Sequence, residues 1–226
     1  MTTSLAAHAR VNDGLLADLE RRALVAMARR LPSCINSDHL TLIGLLAMVG
    51  AGACFWVSQR HPAALAGVVV MLALNWFGDS LDGTLARVRG RLRPRYGYYV
   101  DHVIDLVGIS CLLAGMALSG HMSALVAVGV AAAYALASAE VFLATHAQGT
   151  FRLAFARVGP TELRVILAGG AVRLAWGSWV TLFGQSYRLF DIGGLVAIAG
   201  LLTAFVVSAL RNTRALYLAE RLDAGE

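Results

Sequence analysis

Lysine is absent from this 226-residue sequence. The cationic side chains other than histidine are 19 arginines, set against 14 acids for a net charge of +5. A coding bias toward arginine is the plain account of that usage. Charge of either sign is scarce: 15% of residues carry one, where a soluble domain carries about a quarter. Three cysteines (Cys34, Cys54 and Cys111) have no CxxC spacing, which excludes a disulfide framework and a zinc ribbon. The arginines gather at the ends of apolar runs and form no basic domain, so nucleic acid is not an expected partner. Asp13, Asp18 and Glu20 precede the first long apolar run, the wrong order for a cleaved signal peptide.

What is abundant is apolar surface. Hydrophobic residues make up 58% of the chain, and mean hydropathy is +0.67. The pattern predicts an all-α integral membrane fold of six transmembrane helices preceded by an N-terminal interfacial amphipathic helix. The amphipathic stretch is 12–31, where Leu15, Leu16, Leu19, Val25 and Leu31 alternate with Arg21, Arg22, Arg29 and Arg30. It reads as a helix in the membrane interface, with a surface helix packed on the protein as the alternative. Expected spans are Leu40–Ser58, Ala63 to about Ala86, about Gly97 to Ser119, Met122 to about Thr145, Thr161–Phe183 and Ile192–Leu210. Each approaches the roughly 20 residues a bilayer requires. The chain thus divides into an N-terminal segment 1–33, a six-helix membrane domain 34–213 and a tail 214–226.

Arginine placement supports that count. One side of the expected topology receives Arg10, Arg21, Arg22, Arg29, Arg30, the run Arg87 to Arg95, Arg152, Arg157, Arg164, Arg211, Arg214 and Arg221, sixteen in all; the other receives Arg60 and Arg188. The positive-inside rule then places both termini in the cytoplasm of a cell whose inner membrane the chain crosses several times.

One stretch departs from the apolar character: "GDSLDGTLARVRGRLRPRYGYYVDHVID", residues 78–105. Asp79 and Asp82 are three apart and Asp101 and Asp105 four apart, so each pair shares a helix face. With nine residues between Arg87 and Gly97, the two helices are expected to be antiparallel neighbours that bring both pairs to one end. Four carboxylates at a membrane edge repel one another, and ionisable groups in spans usually mark function. A hard divalent cation resolves the repulsion, and four ligands suit two ions clamping phosphoryl oxygens. Gly83 and Ala86 leave the helix face nearly bare, Gly97 opens the face of Asp101, and Arg87 can fork onto a phosphate. Close helix packing is the competing account of the glycines, and ion pairs with the arginine run that of the acids.

The pattern Asp-x2-Asp-Gly-x2-Ala-Arg-x9-Gly-x3-Asp-x3-Asp is complete as Asp79, Asp82, Gly83, Ala86, Arg87, Gly97, Asp101 and Asp105, eight fixed positions across 27 residues. It resembles the signature of the CDP-alcohol phosphotransferases. The resemblance implies a homodimeric membrane enzyme that moves a substituted phosphoryl group from a CDP-linked donor, commonly CDP-diacylglycerol, to an alcohol, releasing CMP. It implies two Mg²⁺ or Mn²⁺ ions among the aspartates. Asp79, Asp82 and Asp101 would be metal ligands, and Asp105 the general base that also touches a metal. Gly83, Ala86, Arg87 and Gly97 would line the CDP site.

Weaker features accompany this one. In "RLAFARVGPTELR" the expected acceptor residues are Arg152, Arg157 and Arg164 for an acidic polyol, or Glu162 for a neutral one; a capped helix start is the blander reading. His102 lies beside Asp101 but about 100° around the helix, which predicts packing. Arg173, deep in its span, needs a partner, a water cavity or a snorkelling route, with Glu140 a candidate partner. Asn36 and Asp38 either reach the active-site rim or cap the first span. Two rival functions share the acids. An intramembrane prenyltransferase also holds Mg²⁺ on aspartates, but with more spans and distant motifs; a divalent-cation transporter would place its acids near the bilayer midplane.

Overall fold

The computed structural model describes residues 17–148 and 160–220. Seven helices and one hairpin run in the order α1 (Ala17–Arg30), α2 (Ser37–Ser58), α3 (Ala64–Val88), α4 (Pro94–Leu118), α5 (Ala124–Gln148), α6 (Pro160–Leu174), β1 (Trp179–Leu182), β2 (Gln185–Arg188) and α7 (Leu189–Ala219). Five of them, α2, α3, α4, α5 and α7, are long and apolar enough to cross a membrane. The chain is a multi-pass membrane protein.

The expected span Thr161–Phe183 takes a different form. Its helix is α6, 15 residues long, or about 22 Å at 1.5 Å per residue, against a hydrocarbon core of about 30 Å. Gly177, at φ +118, follows the end of the helix, and the largely apolar residues beyond it form β1, which pairs antiparallel with the polar β2 from Trp179 opposite Arg188 to Leu182 opposite Gln185. Among the described residues five of the six expected spans are thus full-length helices, and the expected fifth span is a short helix followed by a hairpin.

α2 is the hub. It packs against both α3 and α4, while α6 and α1 pack on α3, α4 on α5, and α5 on α7. Small residues let the backbones approach. A Cβ on Gly115 of α4 would stand 2.0 Å from the Gly52 carbonyl oxygen of α2, and one on Gly78 of α3 would stand 2.6 Å from the Leu40 carbonyl oxygen. α3 and α4, expected to be packed neighbours, have little direct contact, because α2 fills the contact surface of both. A five-residue link (89–93), with Gly90 at φ +63 and Pro94 opening α4, carries the chain between them.

Two apolar clusters follow. The larger joins Phe55, Val68, Leu72, Leu112, Met116 and Phe190 in the half of the bundle away from the acids. The smaller joins Leu24 and Ala28 of α1 to Leu40 of α2 and Leu81 and Leu85 of α3. α1 therefore buries an apolar stripe against α2 and α3. Arg89 fastens the link after α1 by donating to the carbonyls of Leu31, Pro32 and Ile35.

Candidate active site

The end of the bundle holding α1 also holds the acids. Asp79 lies on α3, and Asp101 and Asp105 lie on α4. Their carboxylates offer one oxygen each within 4.8 Å of one another. Asp79 and Asp101 are half-buried and Asp105 is exposed. Because α3 and α4 are held apart on α2, these side chains meet across a gap rather than across a packed seam.

Ligands at 2.0–2.1 Å from a small cation lie at most about 4.2 Å apart across it. A triangle of carboxylate oxygens within 4.8 Å needs only a small adjustment to hold such an ion. An oxygen-only donor set favours a hard divalent cation, so the cluster fits the metal the sequence pattern implied.

Asp82 is not in that triangle. It lies one turn further along α3, where Thr41 Oγ1 donates to its Oδ2 at 2.6 Å and Ser37 Oγ donates to its backbone carbonyl at 3.0 Å. Asp101 and Asp79 remain its electrostatic neighbours. Among the described residues, the structure brings three of the four acids together directly and holds the fourth beside them through α2.

The flanking residues divide similarly. Arg87 is exposed, and its guanidinium lies over Gly83, 3.7 Å from where a Cβ would stand. Gly97 has nothing within 4 Å of an added Cβ, so it faces open space. Ala86 lines a cavity of about 320 Å³ with Asn36, Ser37, Asp38, Leu85, Leu92, Arg89, Arg91 and Arg93. Arg93 pairs with Asp38 and lies over the Tyr96 ring at 4.2 Å. The bond to Asp38 raises the Arg93 pKa above its ordinary value.

Of the expected acceptor residues, Arg152 and Arg157 lie outside the described residues. Glu162 is exposed in the first turn of α6. Arg164 reaches the acid cluster itself: its Nη2 donates to Asp79 Oδ2 and its Nε to Asn75 Oδ1, both at 2.6 Å. Asn75 is buried and donates to the Gly44 carbonyl oxygen at 2.9 Å. Arg164 thus ties α6 to an acid of the cluster.

The minor expectations resolve plainly. His102 shares its Nδ1 with the Tyr98 carbonyl at 2.6 Å and packs between Tyr98 and Phe142. Asn36 caps α2 in a reciprocal box with His39. Arg173 donates to the Gly177 carbonyl oxygen at 3.1 Å, and Glu140 instead accepts from Asn212 at 2.7 Å. Sequence reasoning missed Asn75, Thr41 and Tyr134. Tyr134, on α5, is an electrostatic neighbour of Asp105, Asp101 and Asp79, and it hydrogen-bonds Ser138. The only sequence signal for it is a polar ring atom in the apolar run "AVGVAAAYALA".

A multi-helix membrane fold with a carboxylate triangle and an arginine at one end defines a class of enzymes that transfer substituted phosphate groups. The family model for CDP-alcohol phosphatidyltransferase matches residues 35–206, so the chain belongs to that family. A curated relative, archaetidylinositol phosphate synthase of Pyrococcus horikoshii, is 28% identical over 165 residues, covering 68% of this chain and 83% of the relative. Among solved structures, Mycobacterium tuberculosis phosphatidylinositol phosphate synthase (PgsA1) with CDP-DAG bound shares the fold, with TM-score 0.62 and 18% identity over 84% of this chain and 94% of that one. Membership of the transferase family removes the prenyltransferase and cation-transporter readings.

Proposed function

We propose that the enzyme transfers a phosphatidyl-type group from CDP-diacylglycerol to the hydroxyl of a phosphorylated polyol such as inositol phosphate, releasing CMP. The observation that carries this reading is the triangle of Asp79, Asp101 and Asp105, with its one exposed member at the open side. The names of the relatives support the choice of donor and acceptor. The arginine-rich cavity beside Ala86 supports an anionic nucleotide ligand.

Motif position, and for the described residues their placement, supports the following roles. Asp79, Asp101 and Asp105 would hold a divalent ion, Mg²⁺ or Mn²⁺, and Asp82 would complete the set for a second. Such ions supply positive charge to the oxygens of the donor diphosphate. Asp105, exposed at the mouth, takes the acceptor hydroxyl proton. The hydroxyl oxygen forms its bond to the donor β-phosphorus as the bond to CMP breaks, and CMP carries away the electron pair. Arg87 opposes charge developing on the phosphates, while Gly83, Ala86 and Gly97 leave room for the nucleotide to approach. Arg152 and Arg157, with Glu162, meet the acceptor; Arg164 acts through Asp79.

The acid end faces the cytoplasm, as the arginine asymmetry supports, and the donor's acyl chains stay in the bilayer. The working unit is a homodimer, as the family resemblance implies. The testing experiment combines purified protein, CDP-diacylglycerol, Mn²⁺ and a panel of alcohols: inositol phosphate, glycerol phosphate, inositol and serine. Lipid products are identified by mass. Formation of a phosphatidylinositol phosphate with stoichiometric CMP supports the reading. Turnover with a different alcohol alone rejects the acceptor, and no CMP from any of them rejects the donor.

A further inference from the structure

The end of the molecule opposite the acids carries an aromatic tip. Trp176, Trp179, Leu182, Phe183 and Tyr187 are all exposed on or beside the hairpin. Between Leu174 and Phe190 the one charged side chain is Arg188, which lies over the Trp179 ring at 5.5 Å. At the tip, Phe183 has φ +50 and Gly184 φ +79. A two-residue connection with both central residues at positive φ matches a type I′ turn, where Asn, Asp or Gly is usual. A bulky side chain there is a genuine outlier.

Phe183 is also fully exposed, at 103% relative accessibility. Surrounded by water, this residue would carry a backbone cost and an unburied ring, with no protein contact to offset either. Strain of this kind, once observed, points toward a function. A bilayer interface supplies one, because aromatic rings concentrate at headgroup level and the ring leaves water there.

The base of the hairpin is fixed at the right level. Ser178 Oγ is 2.8 Å from His121 Nδ1, and the Leu189 N–H donates to the Ser178 carbonyl at 2.9 Å. Ser123 N–H donates to Asp191 Oδ1 at 2.6 Å, so α5 and α7 begin together beside it. Near the starts of those two helices Leu125, Leu195 and Val196 are exposed as well. We propose that the hairpin Trp179–Arg188, led by Phe183, inserts into the lipid interface of the leaflet opposite the acid cluster, supplying the membrane contact that the short helix α6 leaves unmade.

The test uses the full chain in liposomes of zwitterionic and anionic phospholipids. Trp56, Trp76, Trp176 and Trp179 are each replaced by Phe, and Phe183→Trp leaves a single indole at the tip. The expected result is blue-shifted emission, strong quenching by lipids brominated on the acyl chains, and little quenching by aqueous iodide. Quenching by iodide with none by the brominated lipids overturns the proposal, because the tip is then in water. Protection from both quenchers also overturns it, because protein then covers the tip. If that variant does not fold, the natural chain is compared with the Trp176→Phe/Trp179→Phe pair. Loss of signal quenchable by brominated lipid supports insertion, and loss confined to iodide-quenchable signal refutes it.

Discussion

Arg164 and Asp79 form an ion pair at 2.6 Å with only 15% and 18% of their side chains exposed. The same guanidinium reaches Asn75, and Asn75 reaches the backbone of α2 at Gly44. Arg164 therefore links α6 to α3 and, through Asn75, to α2, while it holds one acid of the cluster. Arg164→Ala leaves Asp79 partly buried without its countercharge, and losing one partner of a buried pair costs up to about 3–5 kcal/mol. The expected outcome is a lowered melting temperature in detergent that Mn²⁺ restores in part, since a cation replaces the missing charge. Arg164→Lys keeps the charge but not the fork that serves two acceptors, so turnover falls while stability is largely kept. Natural melting and turnover in both variants would separate Arg164 from the site.

Asp105 is the exposed member of the triangle, the position from which a carboxylate can meet an entering hydroxyl. Asp105→Asn retains shape and loses basicity. Turnover should drop by about 10²–10⁴-fold, the usual contribution of a positioned base, while donor binding persists. Calorimetric titration with the CDP donor beside a CMP-release assay checks both halves. A natural rate in this variant removes Asp105 from its role.

Asp82 is oriented by Thr41 from the neighbouring helix. Asp82→Asn should weaken Mn²⁺ saturation and donor binding together. Thr41→Val keeps the acid and removes the hydroxyl that fixes it, a loss on the order of 1.5–3 kcal/mol for a hydrogen bond to a charged group. Its Mn²⁺ titration should shift in the same direction by a smaller amount. An unchanged titration in both variants would show that Asp82 holds no ion.

The acid pairs were legible because each is written within one helical turn, where spacing alone determines the shared face. What packs between helices is not written that way. The short link between α3 and α4 suggested adjacency, but Gly52 facing Gly115 and Gly44 facing Gly78 draw α2 against both and leave a gap above the acids. Arg164 meets Asp79 across 85 positions of sequence, and no local pattern encodes that. The first strand of the hairpin was read as the end of a span because "WVTLF" is as apolar as one. Its β-branched and aromatic residues and Gly184 were the available signals.

Two glycines separate packing from function. Gly115→Ala would drive a methyl to 2.0 Å from the Gly52 carbonyl oxygen, backbone against backbone, so α2 and α4 must part. Overpacking costs typically about 1–3 kcal/mol where side chains can yield, and here the loss should be at the upper end or beyond, read as lost folded yield. Gly97→Ala meets nothing within 4 Å and should fold with natural stability. If the nucleotide approaches there, its KM for the CDP donor rises while melting is unchanged. An unchanged KM would take Gly97 out of the donor site.

His121 lies in the turn between α4 and α5, at the end away from the acids. Ser58 Oγ donates to the Phe55 carbonyl at 2.6 Å, so it accepts from His121 Nε2 at 2.9 Å, and Nδ1 then accepts from Ser178 Oγ at 2.8 Å. This arrangement uses the neutral ring, and burial pushes the His121 pKa below its ordinary value of 6.5. Asp191 and Arg188 stand nearby on the hairpin and α7, themselves 4.0 Å apart. Because the folded pKa is depressed, the unfolded chain binds the proton first as pH falls. Stability is therefore flat above about 6.5 with respect to this group and declines below it until the folded pKa is passed. Melting of the natural protein should drop between neutral and mildly acidic pH. His121→Gln keeps a donor and an acceptor but does not titrate, and should flatten that part of the profile. An identical slope in the variant would assign the acid sensitivity to another group.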